Sequence, residues 1–237
     1  MRSVSALAVA LAAAIPASAA PPDDWPTLHG DLTRSGFYPV FPARPLKLLW
    51  RRELADEMTG ARAQVIVAAG KACLGTYAGN LYAWDAATGE QRWVVRTGGA
   101  ILHSPAFADG IFYAGSMDRR VYAVSADDGR VRWTYEADAG VCVSPAVSGG
   151  LVFFGDRAGT FHAVRTADGT RAWTFAAGGP VLTTASVTED GRSVVFASED
   201  MHACCVEAAT GRLIWKSRKM AGVSVRDHFP CWSAGWP

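Results

Sequence analysis

The sequence predicts an all-β fold in which one four-stranded unit recurs about four times, and three observations lead there. Trp93, Trp133, Trp173 and Trp215 each follow a glycine by four residues (Gly89, Gly129, Gly169, Gly211), and the tryptophans are 40, 40 and 42 residues apart in the 237-residue chain. Self-similarity at that period marks one small unit stacked on copies of itself. Bulky residues fall on alternate positions, as in the run from Val121 to Ser125, and aromatic and β-branched residues dominate the apolar runs, as expected of strands. Gly and Asp gather between the runs as turn formers, and no segment after residue 20 keeps a helical period.

Residues 1–19 read as a secretory leader. Arg2 precedes the apolar run Val4 to Ile15, and Ala17-Ser18-Ala19 has the small-x-small form of a cleavage site, so cleavage is expected after Ala19. The run is short for a membrane span, and no cysteine follows it to carry a lipid. The expectation is a periplasmic or secreted protein with no membrane insertion or lipid anchor.

Residues 20–62 form a lead-in. It contains Trp25-Pro-Thr-Leu-His-Gly-Asp31 and Arg34-Ser-Gly36, and the later stretch from Lys47 to Arg52 reads as a tryptophan-bearing outer strand around Trp50. That strand is expected to help close a ring.

The four copies over residues 63–220 read LYAWDAATGEQRW from Leu81, VYAVSADDGRVRW from Val121, FHAVRTADGTRAW from Phe161 and ACCVEAATGRLIW from Ala203. A short apolar run ending near a small residue (Gly75, Gly115, Gly155, Ala197) precedes each, and Ser104-Pro105-Ala106 and Ser144-Pro145-Ala146 stand further upstream. Each unit thus holds four strands, the size of a propeller blade, and blades bury their faces against one another. Each tryptophan is expected to wedge between neighbouring sheets, where replacement by alanine costs about 3–5 kcal/mol. The turn before it, Ala-Thr-Gly or Asp-Asp-Gly, supplies a side-chain acceptor for local N–H groups and a glycine free to take positive φ, a structural role.

The run from Leu81 to Trp93 resembles the repeat of propellers related to pyrroloquinoline-quinone (PQQ) dehydrogenases, Tyr-Ala-Leu-Asp-Ala-x-Thr-Gly-x-x-x-Trp, and the segment around Trp25 and Arg34 resembles their lead-in. Trp-Asp repeat propellers match less well, since Trp84-Asp85 is the single such pair. The resemblance implies a partial β-propeller of four-stranded blades, about four blades plus an N-terminal closing strand. It leaves activity open, because the family joins quinone enzymes to cofactor-free scaffolds such as the BamB-like outer-membrane assembly proteins.

A closed ring in that family takes seven or eight blades, so the chain reads as a truncated member. Residues 221–237 begin a fifth blade whose end is aberrant: after Pro230 the register calls for a strand like Ala146 to Leu151, but Cys231 to Pro237 follow. With the codons TGC TGG TCG GCG GGC TGG CC assumed, a neighbouring frame gives Leu-Val-Gly-Gly-Leu-Ala, the expected strand and turn. A frameshift in the open reading frame is the expectation, and the coding DNA tests it.

A formal net charge of +1 with 19% charged residues gives no field for capturing nucleic acid or anionic lipid, leaving proteins or small molecules as partners. Of the five cysteines, Cys73 and Cys142 fall at apolar register positions and are expected to be buried. The pair Cys204-Cys205 invites comparison with the vicinal disulfide that packs on the quinone in related alcohol dehydrogenases, which makes these two the candidate cofactor-binding residues. Yet the sequence after them, Val206 to Gly211, is the ordinary blade turn, and in register the pair replaces Tyr82-Ala83. The histidines are scattered without zinc-ligand spacing, and asparagine occurs once, at Asn80, where a PQQ–calcium site would need Glu, Asn and Asp ligands. No cofactor, metal or catalytic residue is expected, with PQQ and calcium as the alternative.

In a four-stranded blade the turn between the second and third strands and the loop entering the first strand share one face. Tyr77, His103, Met117, Asp118, Arg119, Asp156, Arg157, Glu199, Asp200 and Met201 fall there, and such a mixed rim suits protein recognition. The reading is therefore an exported, non-catalytic scaffold that binds other proteins, in envelope or outer-membrane protein assembly. The alternative is a fragment of a PQQ-dependent alcohol or sugar dehydrogenase, and a third reading is a degraded gene without a selected function.

Overall fold

A computed structural model gives the fold, described here for residues 24–34, 47–59 and 63–219. The expected leader and the aberrant tail lie outside the described residues.

Sixteen strands form four antiparallel sheets in which sequence neighbours pair. Blade 1 holds β1 (Ile66–Ala68), β2 (Lys71–Gly75), β3 (Asn80–Asp85) and β4 (Gln91–Arg96). Blade 2 holds β5 (Ala106–Ala108), β6 (Ile111–Gly115), β7 (Arg120–Ser125) and β8 (Val131–Glu136). Blade 3 holds β9 (Ala146–Ser148), β10 (Leu151–Gly155), β11 (Thr160–Arg165) and β12 (Arg171–Ala176). Blade 4 holds β13 (Ser186–Val187), β14 (Ser193–Ser198), β15 (His202–Glu207) and β16 (Leu213–Lys216). The protein is thus an all-β partial propeller.

The register repeats residue for residue. Cys73, Ala83 and Trp93 lie abreast in blade 1, as do Tyr113, Ala123 and Trp133, then Phe153, Ala163 and Trp173, then Val195, Cys205 and Trp215. A shift in pairing follows each Ala or Cys of that row, so a bulge turns the outer strand at the same place in every blade.

The core lies between the sheets. Ile66, Leu81 and Trp93 meet Phe112 and Tyr122 at the first junction, Tyr113 and Val121 meet Val152 and Phe154 at the second, and Phe153 and Phe161 meet Phe196 and Cys204 at the third. The small residues ending β2, β6 and β10 admit the next linker: a Cβ on Gly75, Gly115 or Gly155 would lie 2.1, 2.5 or 2.2 Å from Ile101, Val141 or Val181.

Each tryptophan acts across a junction. The Trp93 indole covers Gly129 of blade 2 and its Nε1–H donates to Ala126 O at 2.9 Å; Trp133 does the same to Gly169 and Thr166 O (2.8 Å), and Trp173 to Gly211 and Ala208 O (2.9 Å). Trp50 completes the series on blade 1, over Gly89 and bonded to Ala86 O at 2.8 Å. No strand is assigned over residues 47–54, because no described strand lies beside them to pair with. Trp215 departs from the expectation of a wedge: it is 46% exposed against 8% for Trp93, since no described blade follows β16.

The lead-in runs along the inner edge. Trp25 pairs with Val67 of β1, Phe107 N–H of β5 donates to Pro26 O, and Val187 N–H of β13 donates to Leu32 O. Arg34 joins blades 3 and 4 by donating to Pro145 O and Ala185 O, while its Nη1 also holds Thr27 Oγ1 and Leu28 O. Burial lowers its guanidinium to about 10, still protonated at neutral pH.

Candidate functional site

The turns joining the second and third strands of the blades form one repeated structure, and its chemistry starts with a carboxylate. In blade 2, Asp118 accepts Gly98 N–H from the linker behind it (2.7 Å), Arg120 N–H (3.0 Å) and Tyr122 O–H (2.5 Å). In blade 3, Asp156 accepts Ala139 N–H from the linker at 3.2 Å, its own turn's Ala158 and Thr160 N–H groups, and His162 Nε2 at 3.1 Å. In blade 4, Asp200 is bonded by Ser198 Oγ, His202 N–H and Lys216 Nζ. Blade 1 has alanine and glycine at Ala78-Gly79, and its carboxylate comes from Glu57, in a 3-10 turn (Ala55–Glu57) of the lead-in, which accepts from Thr76, Asn80 and Tyr82.

These carboxylates tie the turns and linkers together. Burial alone would raise Glu57, Asp156 and Asp200, but the hydrogen bonds outweigh it and hold all three below the usual carboxylate range. Burial and the bond to Asp118 raise Tyr122, while the bond to Glu57 and burial raise Tyr82. Both phenols therefore stay protonated donors.

At one register position, just before Asp118 and Asp200 and just after Asp156, the backbone of every turn is pinned alike. Tyr77, Met117, Arg157 and Glu199 donate their N–H groups to Met58 O, Ala100 O, Gly140 O and Pro180 O, at 2.9, 2.9, 3.2 and 2.9 Å. The side chains there differ completely in chemistry. Two positions later the turn needs positive φ: blades 1 and 3 supply Gly79 and Gly159, whereas blades 2 and 4 hold Arg119 (φ 71) and Met201 (φ 70) in that strained region. Arg119 is exposed and ion-paired with Glu136 at 3.0 Å. His103 is half-buried in the loop before β5, away from any of these turns in sequence.

The face therefore divides. Asp118, Asp156 and Asp200 are consumed in structural ties, while Tyr77, Met117, Arg119, Arg157, Glu199 and Met201 are half-buried or exposed. Sequence reasoning missed Glu57, whose lone position in a lead-in gave no sign that it completes blade 1. It also missed the partners of His162, which is stacked on Phe154 and bonded through Nδ1 to Tyr135 O–H (3.1 Å) and through Nε2 to Asp156.

One group of potential metal ligands exists among the described residues. Asp138, Asp156 and His162 bring ligand atoms within 4.8 Å of one another. Calcium takes six to eight oxygens, and this group offers two carboxylates and a nitrogen, with Asp156 already accepting four donors. The donor set does not suit calcium. Cys204 and Cys205 are buried free thiols at successive positions of β15, so they face opposite sides of the sheet; burial raises both. Cys73 is fully buried, but Cys142 is only half-buried because it sits in a linker before β9 and not in a sheet.

The family described as outer membrane protein assembly factor BamB matches residues 46–143 and again 137–227. Solved structures with the same fold include the quinohemoprotein alcohol dehydrogenase ADHIIG from Pseudomonas putida HK5 (18% identity, 86% of this chain and 41% of that one, TM-score 0.69). The quinohemoprotein alcohol dehydrogenase from Comamonas testosteroni is similar too (16% identity, 85% and 42%, TM-score 0.74), as is BamB from Moraxella catarrhalis (19% identity, 69% and 65%, TM-score 0.50). The chain spans less than half the length of either dehydrogenase. No curated protein matches it by sequence.

Proposed function

We propose a function from one premise: the chain belongs to the family described as outer membrane protein assembly factor BamB. The protein is a non-catalytic, exported scaffold that binds other proteins through its turn face, in the assembly of outer-membrane proteins. One observation carries this reading. At a single turn position in every blade the backbone N–H is held by a carbonyl of the segment that precedes the blade, the lead-in for blade 1 and the interblade linkers for the others, while the side chain varies from Tyr77 to Met117, Arg157 and Glu199. A constant frame carrying different side chains is a recognition surface, and Met, Tyr and Arg are good anchors for a protein partner. The strained backbone at Arg119 and Met201 supports it, since glycine would serve the turn alone.

The dehydrogenases of the same fold keep a quinone enzyme as the second reading. One experiment separates the two. A photo-crosslinker placed at Met117 or Arg157 in cells should capture an envelope protein, while one at Thr88, in a turn of the opposite face, should not. Equal capture from both positions, or saturable PQQ and calcium binding with dye-linked alcohol oxidation by the purified protein, overturns the scaffold.

A further inference from the structure

We propose that the junction of blades 2 and 3 binds a divalent transition cation, zinc by its chemistry, through His162 Nε2, Asp156 Oδ2 and the carboxylate of Asp138. The ligand atoms of these three side chains lie within 4.8 Å of one another. They come from three separate places: Asp138 from the linker after β8, Asp156 from the start of the turn after β10, and His162 from β11. The sheets on both sides pack together here, so the cluster is interior to the blade array.

Three departures from the repeat meet at this one point. In blades 2 and 4 the turn opens on Ser116 or Ser198 and its carboxylate, Asp118 or Asp200, stands two residues on; blade 3 opens on Asp156 and has Ala158 in the later place. The linker residue facing that carboxylate is Gly98 or Gly178 at the other junctions, where a Cβ would stand 3.1 or 2.7 Å from Asp118 Oδ2 or Asp200 Oδ2. Alanine at position 158 removes that crowding, and the linker carries Asp138 instead. His162 takes the register place of Tyr82, Tyr122 and Cys204. Tying turn to linker needs one carboxylate, as Asp118 shows by accepting Gly98 N–H, and Asp156 meets that need by accepting Ala139 N–H. The second carboxylate and the imidazole are surplus to the tie.

Spacing and burial suit zinc. It takes imidazole nitrogen and carboxylate oxygen at about 2.0–2.2 Å in a tetrahedron, which sets ligand atoms about 3.3 Å apart. His162 Nε2 and Asp156 Oδ2 stand 3.1 Å apart, and the two residues are 1% and 0% exposed. Asp156 Oδ1 is taken by the turn's own Ala158 and Thr160 N–H groups, while Oδ2 can keep Ala139 N–H and exchange the imidazole N–H for the cation. The ring proton then sits on Nδ1, where Tyr135 O, 3.1 Å away, accepts it; the phenol donates without the cation and accepts with it. Phe154, stacked on the imidazole, holds its plane. Asp138 is exposed, so its carboxylate is free to close the remaining distance and gives the ion a path from solvent. Three protein ligands leave the fourth position to water. The bound cation joins the linker after blade 2 to the turn that carries Arg157.

The test uses the intact chain after dialysis against a chelator. Titration with zinc should fill one saturable site per chain and raise the melting temperature, and cobalt(II) in its place should show the intense visible bands of a four-coordinate site. Asp138→Asn keeps an acceptor for Thr160 O–H, so its metal-free melting temperature should be unchanged while zinc binds at least about tenfold more weakly. His162→Gln should abolish the site, and Asp138→Asn carries the test if that buried variant fails to fold. Cys142→Ser and His202→Gln, both outside the cluster, should bind zinc as the parent chain does. Absence of saturable binding, affinity untouched by Asp138→Asn, or an adventitious ion only, lost with Cys142→Ser or His202→Gln, overturns the proposal.

Discussion

The indole of Trp93 lies so close on Gly129 that a Cβ at the glycine would stand 2.6 Å from Trp93 Cγ, and the glycine has φ of 69°. Turn and wedge, which look like separate parts of the repeat, are two halves of one contact between neighbouring blades. Gly129→Ala should therefore destabilise the protein by about 2–4 kcal/mol, adding backbone strain to overpacking. Paired with Trp93→Ala the penalty should be strongly sub-additive, because the emptied site accepts the methyl. Urea titration of the four members of the cycle measures this, and additivity would show that the contact carries no energy.

Position in the array should decide what a tryptophan is worth. Trp93→Ala is expected to cost about 3–5 kcal/mol, as for a buried aromatic. Trp215→Ala, at a side chain 46% exposed, should cost at most about 1 kcal/mol. Denaturant midpoints of the two variants give the comparison directly.

Acid should loosen the ties between turns and linkers. Glu57, Asp156 and Asp200 titrate below the usual carboxylate range in the folded chain. In that window the unfolded chain binds more protons, so stability falls as pH falls. Their contribution is complete above about pH 4 and is lost as pH drops through the folded values. Melting temperatures from pH 7 to pH 2 should fall below pH 4, and Asp156→Asn should flatten part of that slope. A curve level down to pH 2 would contradict the assignment.

Arg119 and Met201 hold positive φ where the other blades have glycine. Arg119→Gly and Met201→Gly should each change stability little or raise it by up to about 1 kcal/mol, the relief of left-handed strain setting the upper limit. The same variants should lose capture of the partner. Stabilisation combined with full binding would mean that these side chains serve no recognition.

The blade architecture was legible because strand alternation and the tryptophan period are local signals. Residues such as Ala83, Ala123 and Ala163 keep their register partners from one blade to the next, and the same register placed Cys205 as an ordinary strand residue. The turn face was legible only in outline. Asp118 and Asp200 lie two residues beyond Ser116 and Ser198, whereas Asp156 takes the serine position itself and Glu57 lies outside the repeat. The same point in space is filled from three different places in sequence, and no period reveals that. Arg34 was invisible as a tie for the same reason, since its partners Pro145 and Ala185 offer backbone carbonyls, which carry no sequence signature.

Blades in a row touch only their neighbours, and such arrays ordinarily fray from the ends, each terminal unit opening at low free energy. The lead-in alters that balance here. Residues 24–34 hold β1, β5 and β13 by backbone bonds and reach blade 3 through Arg34, so opening either end breaks a strand that the other blades share. Amide protons of the four inner edges should then exchange with solvent together, as one cooperative unit, while the outer strands exchange singly. Eleven residues spread along the inner edge convert a row of separable sheets into a body that unfolds as a whole.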